Sequence, residues 1–214
     1  IGTGFGGDGT KSFQGTFNGQ GYTISNLTIN TPTQDYVGLF GNIWTPGSVS
    51  NLVISNFNIT GRNYVAGLAG LVYPSANVTN VDVQTSSITA NHYAGGITGY
   101  LYGHADDVTA TNVTVTTVFN TVISDDGDKG GGLVGYMAES SLSNCSATNV
   151  TVSGTRDAGG LFGAAGASSV TNCTSTGATV ASTNINGNPL NPYTGGAVGR
   201  ASGALPIPNV NVTN

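Results

Sequence analysis

A parallel β-solenoid of about six coils, carrying an asparagine ladder, is the fold this sequence predicts. Three observations predict it. A five-residue phrase with glycine in its second and last places, and Leu, Ile or Ala in its third, occurs six times. Its closing glycines are Gly41, Gly70, Gly99, Gly135, Gly163 and Gly199, which lie 29, 29, 36, 28 and 36 residues apart. A marker position follows nine to eleven residues after each closing glycine, at Asn51, Asn80, Ala110, Asn144, Asn172 and Asn209, and Asn26 opens the series. Apolar and polar residues alternate with period two around and after these markers, as in Leu52 and Ile54 or Val150 and Val152. That alternation is the signature of a half-buried strand.

Taken in order, residues 1–23 form a start or cap region, aromatic-rich from Phe13 to Tyr22. The repeats follow as 24–41, 42–70, 71–99, 100–135, 136–163 and 164–199, and 200–214 begins a further, partial unit of the same single domain, 1–214. The two longer units carry insertions at 116–129 and 183–193, expected as loops on the outer surface. Stacked coils place equivalent residues about 4.8 Å apart. Asn26, Asn51, Asn80, Asn144, Asn172 and Asn209 are then expected to bond coil to coil through their amides, with Ala110 interrupting the ladder. The glycines are expected to turn the chain with positive φ and to let coils approach. Leu39, Leu68, Ile97, Leu133, Leu161 and Ala197 make one inward apolar row. An antiparallel sandwich also has many short strands, but it gives no reason for one residue type to recur at one place in every unit.

Composition narrows the setting. Charged residues are 7% of the chain, glycines number 34, and the net charge is −5 with five basic residues. That balance argues against nucleic acid and anionic membranes as partners. No apolar run approaches the ~18 residues of a membrane-spanning helix. A start at Ile1 without Met reads as a processed, exported chain, secreted or held at the cell surface.

The six glycine phrases with their Asn-bearing strands resemble the GLUG-motif repeats of bacterial and archaeal surface proteins, from Phe13 to Asn214. The opening Phe13, Gly15, Thr16, Phe17, Asn18, Gly19 and Gly21 looks like the start of such a region. The resemblance implies the non-catalytic portion of a secreted or envelope protein, and it supplies no catalytic residues.

The residues themselves agree. A polysaccharide-cleaving β-helix gathers carboxylates across neighbouring coils, whereas the ten acids here are scattered. The densest group, Asp125, Asp126 and Asp128, sits in one insertion and reads as a solvated loop, with a weak Ca²⁺ site as the alternative. No other cofactor is implied. Arg156 and Asp157 read as a local surface pair. His92 and His104 lack the partners of a zinc set and read as turn residues. Tyr36, Tyr64, Tyr93, Tyr100, Tyr102, Tyr136 and Trp44 read as packed turn aromatics, with a sugar-stacking strip as the alternative.

Cys145 and Cys173 follow ladder asparagines at the place of Leu27, Leu52 and Val81, so they are expected as inward neighbours on adjacent coils. A disulfide and two free core thiols both fit that position. Of the N-x-[ST] sequons, Asn58, Asn77, Asn112, Asn149 and Asn211 are the candidate glycan acceptors, because Asn26, Asn144 and Asn172 belong to the ladder.

The function expected is that of a non-catalytic extracellular structural protein whose copies assemble into a sheath, fibre or layer. The partial final unit adds an open strand edge to that expectation. An adhesin segment binding a glycan or host surface is the second reading, and a polysaccharide-degrading enzyme the third. An ice-binding surface would require Thr-x-Thr at a fixed place in every unit, and counting along the chain finds no such regularity.

Overall fold

The computed structural model describes residues 10–118, 128–182, 193–202 and 210–213. Every described element is a strand, and every pairing between strands is parallel. The chain winds as a β-solenoid with four faces. One coil shows the frame: Ser48–Ser55 on the first face, Asn58–Thr60 on the second, Val65–Ala66 on the third and Ala69–Val72 on the fourth. The second face stacks six strands: Thr28–Asn30, Asn58–Thr60, Ser87–Ala90, Thr114–Thr117, Thr151–Gly154 and Thr179–Ser182. The fourth also stacks six, from Phe40–Ile43 to Val198–Ser202.

The glycine phrase falls in register throughout. Pairings such as Phe40 with Ala69, Thr98 with Val134 and Phe162 with Val198 align all six closing glycines in one row. The Leu68, Ile97, Leu133, Leu161 and Ala197 side chains are buried beside it, while Leu39 is partly covered. Inward rows of Val, Ile, Leu and Ala from the four faces fill the interior. Val78 and Leu142, for example, lie above and below Ala105.

The structure reassigns the work of glycine and asparagine. Among the described residues only Gly21 and Gly177 are glycines with positive φ, so the repeat glycines do not serve the turns. They serve close approach. A Cβ on Gly96 would lie 2.4 Å from the Gly132 carbonyl, and one on Gly160 would lie 2.1 Å from the Gly196 carbonyl. One on Gly99 would meet Tyr64 backbone at 2.7 Å. The left-handed positions instead carry Asn51, Asn80, Asp107, Asn144 and Asn172, with φ of 54, 52, 53, 51 and 53°. Short amide and carboxylate side chains tolerate this region where other L-residues pay strain.

Two corrections to the ladder follow. The fourth-coil rung is Asp107, because Val108 pairs with Val81 and Thr79 with Asp106. Ala110 lies opposite Val83 and Ala147 in the core. Counting from Gly99 overshoots because the turn into His104 is shorter than the equivalent turn into Asn77. Leu101 aligns with Val72 and His104 with Asn77, so two residues connect them there where four do in the preceding coil. Asn26 belongs to a second corner row, since Ser25 pairs with Ser55 and sets Asn26 against Asn56. That row continues through Thr85, Asn112, Asn149 and Gly177, all with positive φ. Leu27 accordingly precedes strand Thr28–Asn30 on the second face and is not the counterpart of Leu52. Asn209 lies outside the described residues.

The corner asparagines face outward and are bonded between coils. Asn51 Nδ2 donates to Asn18 Oδ1 (3.1 Å), and Asn80 Nδ2 donates to Asn51 Oδ1 (2.8 Å). Asn172 Nδ2 donates to Asn144 Oδ1 (3.2 Å), and Asn144 Nδ2 donates to Asp106 Oδ1 (2.8 Å). In the second row Asn56 Nδ2 donates to Asn26 Oδ1 (2.7 Å). Asn80→Val should therefore cost about 1–2 kcal/mol of backbone strain plus the lost bond, and Asn80→Gly clearly less. Urea midpoints compare them, and equal losses would remove backbone strain as the reason for asparagine here.

Candidate functional site

Three features were candidates for chemistry: the acidic insertion, the aromatic rows and the cysteines. The structure places each. Asp125 and Asp126 lie outside the described residues. Asp128 is fully buried, with His92 Nδ1 3.8 Å from its Oδ1, so it is not a solvated loop carboxylate. Among the described residues, no three His, Cys, Asp or Glu side chains gather as metal ligands do. His104 begins a first-face strand, where its Nδ1 lies 2.7 Å from Ser141 Oγ.

The third face carries a row that changes character partway. Tyr36 and Tyr64 stack with centroids 4.8 Å apart and planes 5° from parallel, and Tyr64 and Tyr93 stack at 4.8 Å and 1°. In register beyond Tyr93 stand Lys129, Asp157 and then Tyr193. Lys129 and Asp157 are both fully buried. Lys129 Nζ lies 4.9 Å from the Tyr93 ring centre and 5.2 Å from that of Tyr136. Arg200 Nε lies 3.0 Å from Asp157 Oδ2, and Arg156 Nε lies 3.9 Å from Oδ1. The expected surface pair of Arg156 and Asp157 is thus part of a buried charge cluster. Sequence reading missed it because its members come from three coils. The available signal was the absence of Tyr before the phrases at Gly135 and Gly163.

The aromatic rings mostly cover one another. Tyr100 meets Tyr136 edge-on at 5.0 Å and Tyr64 at 5.8 Å, and its other neighbours are Tyr93 and Tyr102. Trp44 lies against Tyr73 at 3.7 Å. Faces stacked in this way present edges and hydroxyls outward rather than flat platforms. Burial, then the Tyr102 hydrogen bond, raises the Tyr100 hydroxyl well above its ordinary value. Burial, with Tyr64 and Asp35 adding to it, pushes Tyr36 from 10.0 up to about 12. The folded value lies above the unfolded one, so this contribution is complete below pH 10.0 and is lost as pH rises through about 12. Alkaline unfolding should therefore coincide with phenolate absorbance from the stack. Phenolate appearing at its ordinary pH with the fold intact would contradict this.

Cys145 and Cys173 stand opposite one another with Cα atoms 4.5 Å apart, buried in the row of Leu52, Val81 and Val108, and their sulfurs are bonded. The link closes a loop with a sequence separation of 28. Chain entropy puts its contribution at about 3–4 kcal/mol. Reductant, or Cys145→Ser with Cys173→Ser, should lower the urea midpoint accordingly; an unchanged midpoint with both thiols demonstrably free would overturn that value.

Of the sequons, Asn58 and Asn77 are exposed on strands. Asn112 and Asn149 are corner residues like Asn26, Asn144 and Asn172. The Asn211 side chain lies outside the described residues.

A known family's sequence pattern, described as the GLUG motif, matches residues 130–153. The chain carries a GLUG motif. On the structure this segment runs from the third-face strand Lys129–Gly131, through Val134–Ala138 and the two first-face strands, into Thr151–Gly154. One GLUG motif is therefore nearly one coil, and the register repeats that coil along the described chain. Two relatives are similar to part of this chain. Halomucin of Haloquadratum walsbyi is 43% identical over 58 residues, which is 27% of this chain and 1% of halomucin. A putative Gly-rich membrane protein of Evansella cellulosilytica is 43% identical over 54 residues, 25% of this chain and 6% of that protein. The chain spans only a small part of the length of either relative.

Proposed function

We propose that this GLUG-repeat chain is a non-catalytic, extracellular structural element of the cell surface, whose copies associate into a sheath, fibre or layer. The observation that carries the reading is the division of labour in each coil. Inward rows are spent on a continuous core, corner residues on amide bonds between coils, and glycines on close coil spacing. Outward positions are mainly short hydroxyl and amide side chains on a stiff stack. The name halomucin and the description of the second relative as a membrane protein support a place at the cell surface.

Light scattering and electron microscopy of the native protein at high concentration test the assembly. Fibres or sheets that disperse on dilution are expected. A monodisperse monomer at every concentration would overturn the assembly, and release of reducing sugar or unsaturated product from polysaccharides would overturn the non-catalytic role.

A further inference from the structure

The second face differs from the rest of the exterior. Its six strands each place an inward Ile or Val between two outward residues, from Thr28-Ile29-Asn30 to Thr179-Val180-Ala181. Register sets the outward residues in two straight rows. One passes through Thr28, Thr114 and Thr151, and the other through Thr60, Thr89 and Thr116. Of the twelve outward positions, nine are Ser or Thr, two are Asn and one is Ala. None is charged and none carries a ring. The first face also turns Ser and Thr outward, as at Ser141, Ser143, Ser146 and Thr148, but interrupts them with Asp82, Gln84, His104 and Asp106.

This regularity is invisible along the chain because turns and insertions of differing length separate the triplets. Register gives the hydroxyl residues a fixed place, with Thr114-Val115-Thr116 as the one full Thr-x-Thr triplet and Ser or Asn standing for Thr in most of the others. Along each row the spacing is about 4.8 Å, and between rows, two residues apart on one strand, about 6.6 Å. Inward Ile59, Ile88, Val115 and Val152 are fully buried and hold the strands in place. Thr side chains restricted at χ1 then offer hydroxyls and methyls in a two-dimensional grid.

The dimensions select the occupant. Six strands and three residues cover about 24 by 7–10 Å, far below the ~800 Å² per partner of a stable protein interface. A face without charge has no electrostatic means of steering a charged partner, and without rings it offers no stacking platform for a free sugar. A surface that itself repeats in two dimensions can be met at many points at once. Crystalline water is such a surface, and the oxygen rows of hexagonal ice repeat at spacings close to those of this grid. We infer that the second face is an ice-binding surface, with hydroxyls holding waters in lattice positions and methyls excluding disordered ones. This goes beyond the structural role and stands whether or not copies assemble.

Ice recrystallisation inhibition and thermal hysteresis test it on the native chain. Wild type should slow recrystallisation at micromolar concentration and facet growing ice crystals. Thr116→Tyr and Thr114→Lys, which break the grid at its centre, should each lose at least tenfold. Thr111→Tyr, outward on the first face, should retain full effect. Circular dichroism and an intact Cys145–Cys173 bond establish that each variant is folded. Wild type without effect on ice overturns the proposal. So does equal loss in Thr111→Tyr, or retention on crystalline cellulose or chitin without any effect on ice.

Discussion

Gly132→Ala is expected to abolish folding, at a cost above about 5 kcal/mol, in the range reserved for the most disruptive single substitutions. A Cβ at Gly132 would sit 2.1 Å from the Gly160 carbonyl oxygen and 3.0 Å from Val150 Cγ2. The first obstacle is backbone, which no rotamer change removes. Moving it means widening the gap between coils, and that gap is closed by bonds on every face. Gly132 N donates to Gly159 O at 3.2 Å and Leu133 N to Leu161 O at 2.9 Å, and these would go first. Gly15→Ala is the control, because its nearest neighbour is the Phe13 ring at 3.4 Å, an ordinary contact. Thermal melting and soluble yield read both. A Gly132→Ala protein melting within a few degrees of wild type would show that coil spacing is not what glycine protects.

Asp157→Ala should cost about 3–5 kcal/mol, the usual penalty for removing one partner from a buried charge pair. It leaves fully buried Lys129 in register with an apolar side chain and deprives Arg200 of a contact at 3.0 Å. The neighbouring tyrosines suggest the compensating change. Lys129→Tyr with Asp157→Tyr would continue the row of Tyr36, Tyr64 and Tyr93 through to Tyr193. Apolar replacement of a buried ion pair is often neutral or stabilising, and parallel aromatic stacking at the coil spacing already exists below. Arg200 is partly exposed, with a side-chain exposure of 28%, and can return to water. Arg156, only 11% exposed, also loses Asp157, and Asp128 stays fully buried. The double variant is therefore expected to recover part of the single variant's loss and not all of it. If single and double variants lose the same stability in urea, Lys129 and Asp157 are not coupled.

The glycine phrase was legible because it repeats in an uninterrupted local run, and its six copies do align. The disulfide positions were legible for the same reason: Cys145 and Cys173 follow asparagines at one place in consecutive units. The corner rows were legible in kind and misassigned in detail. Asn26 and Asn51 look alike along the chain because both sit at left-handed corners, but each coil has two such corners five positions apart, as at Asn51 and Asn56. The fourth rung was hidden by a turn two residues shorter. Asp128, Lys129 and Asp157 read as surface charges because burial is conferred by coils above and below, which a local window does not contain.

Periodicity alone carries the parallel stack, the approximate coil length and the inward rows, since each depends on residues within one coil and on backbone rules that hold anywhere. Register between coils belongs to the tertiary structure. Bonds between strands align residues whatever the length of the turns that join them. For that reason only the folded molecule joins Lys129 to Asp157, separates the two asparagine corners, and sets Thr60, Thr89 and Thr116 in one line.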